Sequence, residues 1–227
     1  MSARSKNGFA SKVLEWLFPS RAACCSCGAE AVLDEHGLCI DCHLGVELFN
    51  AAPPLNYIDG YNAAYVYNDV SSAMVKKLKY NNCKYIAKEL ADALELKHGW
   101  RIDAVTPVPL HYRREAKRGY NQSLLIAKHL CRRLGLKLDT SLIVRLRDTR
   151  QQARSTGAQR RRNLKDAFIA DDACRGLSVL LVDDVRTTGA TLSECAKALK
   201  KCGCDKVYAV TACFTAPDSK GEYNDNI

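Results

Sequence analysis

The sequence of 227 residues predicts an α/β protein, in which a mainly parallel β-sheet flanked by helices follows a small cysteine-rich N-terminal module. From about residue 60 onward, short apolar runs typical of buried strands alternate with segments whose apolar residues recur at helical spacing. Such alternation favours a parallel sheet with helices on both faces. Before that point, five of the twelve cysteines fall within residues 24–42. We therefore expect an N-terminal helix and module over 1–50 and an α/β domain over 51–227.

The individual elements follow from local patterns. An amphipathic helix over Phe9–Phe18 is expected to stop at Pro19, and Ala51–Pro54 reads as a linker because proline is poor in helices and central strands. The polar, basic segment Thr149–Lys165 is expected to be a mobile loop running into a short helix. The predicted strands are Tyr61–Tyr67, Ile102–Thr106, Ser141–Leu146, Val179–Val182 and Val207–Thr211. The predicted helices lie within Ser71–Leu96 and over Gln122–Leu134 and Thr191–Lys201, with Gly135 and Gly203 just past the last two.

Four cysteines have the spacing of a metal site. Cys24-x-x-Cys27 and Cys39-x-x-Cys42 are separated by eleven residues, and two such pairs can supply four thiolates tetrahedrally to Zn²⁺. With all four positions taken, the site is expected to be structural, without an open position for catalysis. So small a module would depend on its metal for folding.

Three alternatives stay open for this cluster. Cys25 could stand in the first knuckle in place of a neighbouring cysteine. His36 or His43 could replace a thiolate, although each is better explained as a solvent-facing side chain. The cysteines could also form disulfides, which a reducing cytosol disfavours.

The net charge of +9 is concentrated in one segment. Residues 101–165 hold 17 Lys/Arg against 4 Asp/Glu, or +13, whereas the rest of the chain holds 17 against 21, or −4. Such a segment is expected to meet the phosphates of a small molecule or of a nucleic acid, with a solvated surface as the alternative. No stretch approaches the ~20 apolar residues of a membrane span. The apolar run Val13–Phe18 is too short for the core of a signal peptide, so the expected location is the cytoplasm.

The stretch VLLVDDVRTTGATL, residues 179–192, joins an apolar strand, two carboxylates and a hydroxyl-rich loop at a helix N-terminus. Backbone N–H groups and the helix dipole favour an anion there, threonine hydroxyls add donors, and Gly189 lets the backbone approach closely. Asp183 and Asp184 come just before, at the sheet edge where open α/β folds bind ligands. A ribose carrying a 5′-phosphate fits both features, with its phosphate at the loop and its hydroxyls at the two aspartates. The loop is not a Walker loop, because the Gly-x-x-x-x-Gly-Lys spacing is missing. The candidate phosphate ligands are Thr187, Thr188, Gly189, Ala190 and Thr191.

This stretch resembles the motif that binds phosphoribosyl pyrophosphate (PRPP) in type I phosphoribosyltransferases. The resemblance implies that Asp183 and Asp184 hold the ribose hydroxyls, that Thr187–Thr191 hold the 5′-phosphate, and that Mg²⁺ bridges the pyrophosphate and the ribose. The implied reaction displaces pyrophosphate from the ribose C1 by a nitrogen nucleophile. This chemistry needs charge neutralisation of the leaving group more than a strong base. The two aspartates are therefore the candidate catalytic residues, and Asp184 is by position the nearest to a general base.

Two further segments, TPVPLHYRREAKRGYNQS at 106–123 and RLRDTRQQARSTGAQRRRNLKDAF at 145–168, extend the resemblance to the ComF family, which includes ComFC and GntX-type proteins. In the first, Arg113 and Arg118 are candidates for holding pyrophosphate. The second could close over the site as a lid that excludes water. One departure is Ser155, where family members often have leucine. The matching pieces are Lys79-Tyr80, Pro107–Pro109, Arg113, Arg118–Gln122, Thr149, Gln152, Arg160, Asn163, Ala167-Phe168 and the aspartate motif.

Membership of this family implies a phosphoribosyltransferase-like fold and a link to natural competence and DNA uptake, and leaves the acceptor undetermined. A protein of another class is the alternative: one that keeps the fold without the reaction and binds single-stranded DNA. Basic side chains interleaved with Tyr112 and Tyr120 could contact the backbone and stack on bases. The candidates for that interaction are Arg160, Arg161 and Arg162. A weaker third possibility is a regulator that senses PRPP without turning it over.

Overall fold

The computed structural model describes residues 22–146 and 167–217. Two predicted features, the helix over Phe9–Phe18 and the loop over Thr149–Lys165, which carries the arginines at 160–162 and most of the predicted lid, lie outside these ranges. The described ranges contain eight strands and six α-helices. The strands are β1 Ala22–Ala23, β2 Glu30–Ala31, β3 Gly60–Val66, β4 Ala104–Pro107, β5 Ile143–Arg145, β6 Phe168–Ala170, β7 Ser178–Arg186 and β8 Lys206–Phe214. The helices are α1 Ile40–Gly45, α2 Asp69–Tyr80, α3 Ile86–Asp92, α4 Tyr112–Arg118, α5 Gln122–Leu134 and α6 Ala190–Cys202.

The main sheet has four strands in the order β3-β8-β7-β4. All three neighbouring pairs are parallel, which confirms the predicted fold class. The longest pairing, between β7 and β8, runs from Ser178 opposite Lys206 to Arg186 opposite Phe214. Two antiparallel pairs, β1-β2 and β5-β6, stand apart from this sheet. The carboxyl ends of the four parallel strands therefore meet along one edge, where open α/β folds bind ligands.

The helix α5 has the bounds that the sequence predicts. Its first turn is capped by the Asn121 side chain, which accepts from the N–H groups of Ser123 and Leu124, and Gly135 ends it with φ of 67°. These are the capping residues that satisfy the free backbone groups at the two ends of a helix. Such local signals explain why both ends could be read from the sequence.

Three predictions need correction. The strand predicted over Val179–Val182 continues to Arg186, because β8 goes on pairing with it although aspartate is a poor strand former. No helix was predicted between β4 and α5, where the structure has α4, which buries no residue and so has no apolar periodicity to reveal it. The strand predicted over Ser141–Leu146 is only Ile143–Arg145, paired with the unpredicted β6.

Hydrophobic clusters cover both faces of the main sheet. Because side chains alternate along a strand, β7 contributes Leu180 and Val182 to one cluster and Val179 and Leu181 to the other. The first cluster also contains apolar residues of α2, α3 and α5, namely Met74, Leu78, Ile86, Leu90, Ile126 and Leu130. The second contains α6 and the β5-β6 pair, namely Leu192, Leu199, Ile143 and Phe168.

The cysteine module packs directly on α2. The Ser26 hydroxyl donates to the carbonyl of Val70, at 3.0 Å. Leu48 forms a β-bridge with Tyr65 of β3. Four module residues, Cys24, Leu38, Cys39 and Cys42, belong to the same buried cluster as α2 and α3. The module and the α/β part therefore share one hydrophobic core. No helix in 22–146 or 167–217 combines the length and apolar character needed to cross a membrane.

Candidate functional site

Both motif aspartates lie inside β7, near its carboxyl end. Asp183 accepts a hydrogen bond from the Ser123 hydroxyl at 2.7 Å, which comes from the first turn of α5. Asp184 is 4% exposed, and its Oδ2 lies 3.0 Å from Nζ of Lys79 on α2, which is 9% exposed. Each carboxylate is therefore held by a different helix, so that α2 and α5 together build the site.

The two carboxylates differ in their acidity. Burial and the neighbouring charge of Asp184 raise the pKa of Asp183 to about 7, although the bond from Ser123 opposes this. Burial would also raise the pKa of Asp184, but the ammonium of Lys79 outweighs it, with help from Arg118, and the pKa of Asp184 is lowered. Lys79 thus keeps Asp184 ionised in a buried position.

The loop after β7 has the geometry of an anion cradle. Gly189 is the N-cap of α6 and has φ of 77°. A Cβ at this position would collide with the Leu55 side chain and lie 3.3 Å from Nε of Arg186. Thr188 Oγ1 accepts from the N–H of Ala190 at 3.3 Å. Glycine is required here both for its backbone conformation and for lack of space. The N–H groups at a helix N-terminus lack intrahelical partners, which is why such a position can bind an anion.

Arg118 joins the same edge of the sheet. Its Nη1 donates to the side chain of Gln122 at 3.0 Å, and its guanidinium carbon lies 5.1 Å from the ring centroid of Tyr80. Arg113 lies on the exposed surface of α4, and its Nε donates to the Tyr112 hydroxyl at 3.0 Å. The structure therefore brings Arg118 close to the aspartates, whereas Arg113 lies on an exposed helix. The role of either in holding pyrophosphate stays a prediction.

The two tyrosines of the basic segment have different environments. Tyr112 is 61% exposed, whereas Tyr120 is 9% exposed and its hydroxyl donates to the carbonyl of Leu78. Tyr120 is thus a packing residue between α2 and α5. Of the two, Tyr112 is the one with a ring face that a base could stack on.

Sequence reasoning missed two residues of the site. Lys79 was recognised only as part of the resemblance to the ComF family, although it follows Leu78 on the buried side of α2. Ser123 lies in the first turn of α5, where serine is common, so the sequence gives no sign that it contacts Asp183. A lysine in a largely buried helical stripe was the available signal for the first of them, since lysine is seldom buried without a partner.

The four predicted metal ligands converge. The sulfur atoms of Cys24, Cys27, Cys39 and Cys42 all lie within 4.8 Å of one another, and Cys27 and Cys39 are 3.7 Å apart. A tetrahedral site with Zn–S bonds of about 2.3 Å requires sulfur–sulfur distances of roughly 3.8 Å, so this donor set fits zinc. The separation also exceeds the length of a disulfide bond, and all twelve cysteines are free thiols.

Backbone N–H groups donate hydrogen bonds to the sulfur atoms of this cluster. The N–H of Cys39 donates to the sulfur of Cys24 at 3.4 Å, and that of Ala29 donates to the sulfur of Cys27 at 3.4 Å. Burial would raise the pKa of Cys24, but hydrogen bonds from the N–H groups of Cys39, Cys27 and Ser26 lower it to about 6. Hydrogen bonds of this kind stabilise the thiolate, which is the ligand form.

Cys25 and the two histidines stand outside the cluster. Burial raises the pKa of Cys25 to about 12, and its sulfur lies against Gly37, where a Cβ would be 2.8 Å away. Cys24, and not Cys25, shares the group with Cys27. The His43 ring nitrogen Nδ1 lies 2.6 Å from a carboxylate oxygen of Asp34, so this histidine supports the second knuckle from outside.

The sequence is similar to several known proteins. The sequence signature described as "Phosphoribosyl transferase domain" matches residues 120–226. The chain is 32% identical to DNA utilization protein YhgH of Salmonella typhimurium over 207 residues, which cover 84% of this chain and 90% of that protein. It is 34% identical to Competence protein F of Haemophilus influenzae over 152 residues, covering 62% and 66% of the two chains. It is 25% identical to Competence protein ComFC of Bacillus subtilis over 174 residues, covering 74% and 68%.

The parallel sheet and the aspartate–threonine motif at its carboxyl edge define a phosphoribosyltransferase-like protein with a four-cysteine cluster that could hold a metal ion such as zinc. Within this class, the chain belongs to the ComF family, whose relatives include Competence protein F and DNA utilization protein YhgH.

Proposed function

We propose that this protein binds PRPP with Mg²⁺ at the carboxyl end of β7 and transfers the phosphoribosyl group to a nitrogen acceptor, releasing pyrophosphate, in the handling of incoming DNA during natural competence. One observation carries the proposal: two carboxylates, each held by a separate helix, directly precede a glycine-turned helix N-terminus. The names of the relatives supply the link to competence and DNA use.

The residues of the site divide the ligand between them. Asp183 and Asp184 accept hydrogen bonds from the ribose hydroxyls, and the loop Thr187–Thr191 donates backbone N–H groups to the 5′-phosphate. In the displacement, the C1–O bond to pyrophosphate breaks with its electron pair leaving on oxygen, and a C1–N bond to the acceptor forms. Arg118 contributes positive charge on the side of α4 and α5. Held by Asp183 together with ligand oxygens, Mg²⁺ would neutralise the charge of the leaving pyrophosphate.

The cysteine cluster has a structural role in this proposal. Four thiolates fill a tetrahedral zinc site, which leaves no position for a substrate. Because the module shares its core with α2, bound zinc would stabilise the helix that carries Lys79. We place the protein in the cytoplasm, where such thiols stay reduced.

Calorimetric titration of PRPP, with and without Mg²⁺, tests the central claim. We expect magnesium-enhanced binding that falls at least ~10-fold in Asp183→Asn, since a neutral amide loses the charge-assisted acceptors for the hydroxyls. Asp172→Asn is the matched control, because Asp172 is an exposed carboxylate before the other end of β7. Unchanged affinity in both Asp183→Asn and Asp184→Asn would disprove the proposed site.

Single-stranded DNA binding is a second candidate function. The specific observation is α4, whose exposed surface carries Tyr112, Arg113, Arg114 and Lys117 and buries no residue. Cations that contact phosphates make affinity fall steeply with salt. We expect a single-stranded oligonucleotide of ~20 nucleotides to bind with an affinity that falls steeply as salt is added. The double variant Arg114→Ala, Lys117→Ala should bind it more weakly and with a smaller dependence on salt. Absent or salt-insensitive binding would remove this candidate.

A further inference from the structure

Arg186, the last residue of β7, is only 2% exposed. Its guanidinium carbon lies 4.4 Å from the ring centroid of Tyr61, near the amino end of β3, and 5.2 Å from that of Phe214, the last residue of β8. Its Nη2 donates to the carbonyl of Pro53 at 2.6 Å. Arg186 thus keeps a permanent positive charge inside the protein, held by the Pro53 carbonyl and two aromatic rings among its contacts.

The guanidinium lies directly against the phosphate loop. A Cβ at Gly189 would come within 3.3 Å of its Nε and would collide with the Leu55 side chain. Pro53 and Leu55 belong to the same segment, which connects the cysteine module to β3. Arg186 therefore joins three parts of the molecule: the connecting segment, two aromatic side chains of the sheet, and the turn that begins α6.

We propose that Arg186 is a positioning residue for the loop Thr187–Thr191, which it holds in shape and to which it supplies a buried positive charge that favours a phosphate monoester. The inference rests on the proposed function, because it concerns the phosphate end of the same ligand. Two physical effects contribute. A charge in a low-dielectric environment acts more strongly on a nearby anion than one in water. The α6 N-terminus binds an anion only if its N–H groups are correctly presented, and Arg186 and Leu55 pack against Gly189 in the turn that sets them.

This role predicts a division between the two ends of PRPP. A ligand with a 5′-phosphate uses the loop beside Arg186, whereas inorganic pyrophosphate is expected on the α4–α5 side near Arg118. Loss of the Arg186 charge would then weaken ribose 5-phosphate and PRPP and leave pyrophosphate unchanged. A purely structural role would weaken all three ligands together.

The test is calorimetric titration of the full chain with ribose 5-phosphate, inorganic pyrophosphate and PRPP, each with Mg²⁺. The variants are Arg186→Met, which removes the charge, and Arg186→Lys, which keeps the charge but lacks the planar guanidinium and its paired N–H donors. We expect Arg186→Met to lose ~10-fold or more in affinity for the two 5′-phosphate ligands, which corresponds to about 1.4 kcal/mol, and Arg186→Lys to lose less.

Arg133→Met is the matched control. Arg133 is a partly buried arginine on α5 whose Nη2 donates to the carbonyls of Ala91 and Leu94, away from the loop. The Arg133→Met variant should have a lower thermal unfolding temperature than wild type and the same affinity for ribose 5-phosphate. If Arg186→Met does not fold, Arg186→Lys decides alone: a loss confined to 5′-phosphate ligands supports the role of Arg186.

The outcomes separate the two claims. If the wild-type chain binds none of the ligands, the proposed function fails and this inference fails with it. If the wild type binds PRPP and the Arg186 variants bind all three ligands as tightly, or lose pyrophosphate to the same extent as ribose 5-phosphate, the role of Arg186 is disproved while the proposed function stands.

Discussion

Lys79 and Asp184 form a buried ion pair across the core, with 3.0 Å between Nζ of the lysine and Oδ2 of the carboxylate. Lys79 is on α2, which packs on the cysteine module, and Asp184 is on β7, at the centre of the candidate site. The pair therefore connects the helix on which the cysteine module packs to the strand that carries the candidate site. Its charges are both largely removed from water, so each depends on the other.

Breaking this pair should be strongly destabilising. Lys79→Met leaves Asp184 as an unpaired buried carboxylate, and we expect a loss of about 3–5 kcal/mol in the free energy of unfolding. Adding Asp184→Asn to Lys79→Met should recover part of that loss, because the uncompensated charge is gone. Urea denaturation of the single and double variants measures the coupling. Lys88→Met is the control, since Lys88 pairs with Asp92 on the surface and should cost less than ~1 kcal/mol.

Removal of metal should weaken the PRPP site as well as the module. Stripping zinc with a chelator removes the bond that holds the two knuckles, and their contacts with α2 loosen. We expect a lower unfolding temperature and weaker PRPP binding, both restored by added Zn²⁺. Metal analysis by mass spectrometry should find one zinc per chain in wild type and in Cys25→Ala, and much less in Cys24→Ala. Equal zinc content in these two variants would contradict the ligand set.

Gly189→Ala should be costly for two reasons. Its φ of 77° is unfavourable for alanine by about 1–2 kcal/mol, and the added methyl group would collide with Leu55. We expect a loss of stability together with at least ~10-fold weaker PRPP binding, because the loop must shift. Gly135→Ala separates the two causes: Gly135 has φ of 67° with open space around it, and should cost stability alone.

Asp59 should make stability depend on pH at the acidic end. Partial burial would raise its pKa, but hydrogen bonds and charges from Lys200 and Lys206 and the N–H of Val207 lower it. A lowered folded pKa means that Asp59 stabilises the protein fully above the unfolded value of about 4 and loses this effect as the pH falls through the folded value. The Asp59→Asn variant should therefore be less stable than wild type at neutral pH, with a difference that shrinks in acid.

Urea denaturation at a series of pH values between 7 and about 3 checks this. Asp205→Asn is the control, because Asp205 is an exposed carboxylate at the same corner of the sheet. A difference between Asp59→Asn and wild type that stays constant across the series would show that the Asp59 charge does not contribute.

Local patterns in the sequence account for much of the fold. The periodicity and caps of α5 predicted its two ends, because capping depends on residues next to the helix. The extent of β7 could not be predicted in this way, since it depends on pairing with β8. The exposed helix α4 buries no residue and has no apolar periodicity to reveal it. Where an element is stabilised by distant partners, or by none, local patterns say little.

The sequence by itself determined the chemistry of this protein: four cysteines spaced for a metal, and two carboxylates before a hydroxyl-rich, glycine-containing turn. Each depends on residues close together in the chain. Only the tertiary structure decided what holds these groups, because the partners are far apart in sequence. Ser123 and Asp183 are separated by 60 residues, and Arg186 and Pro53 by 133. Whether a buried charge has a partner depends on the packing of helices against the sheet, which no local pattern records.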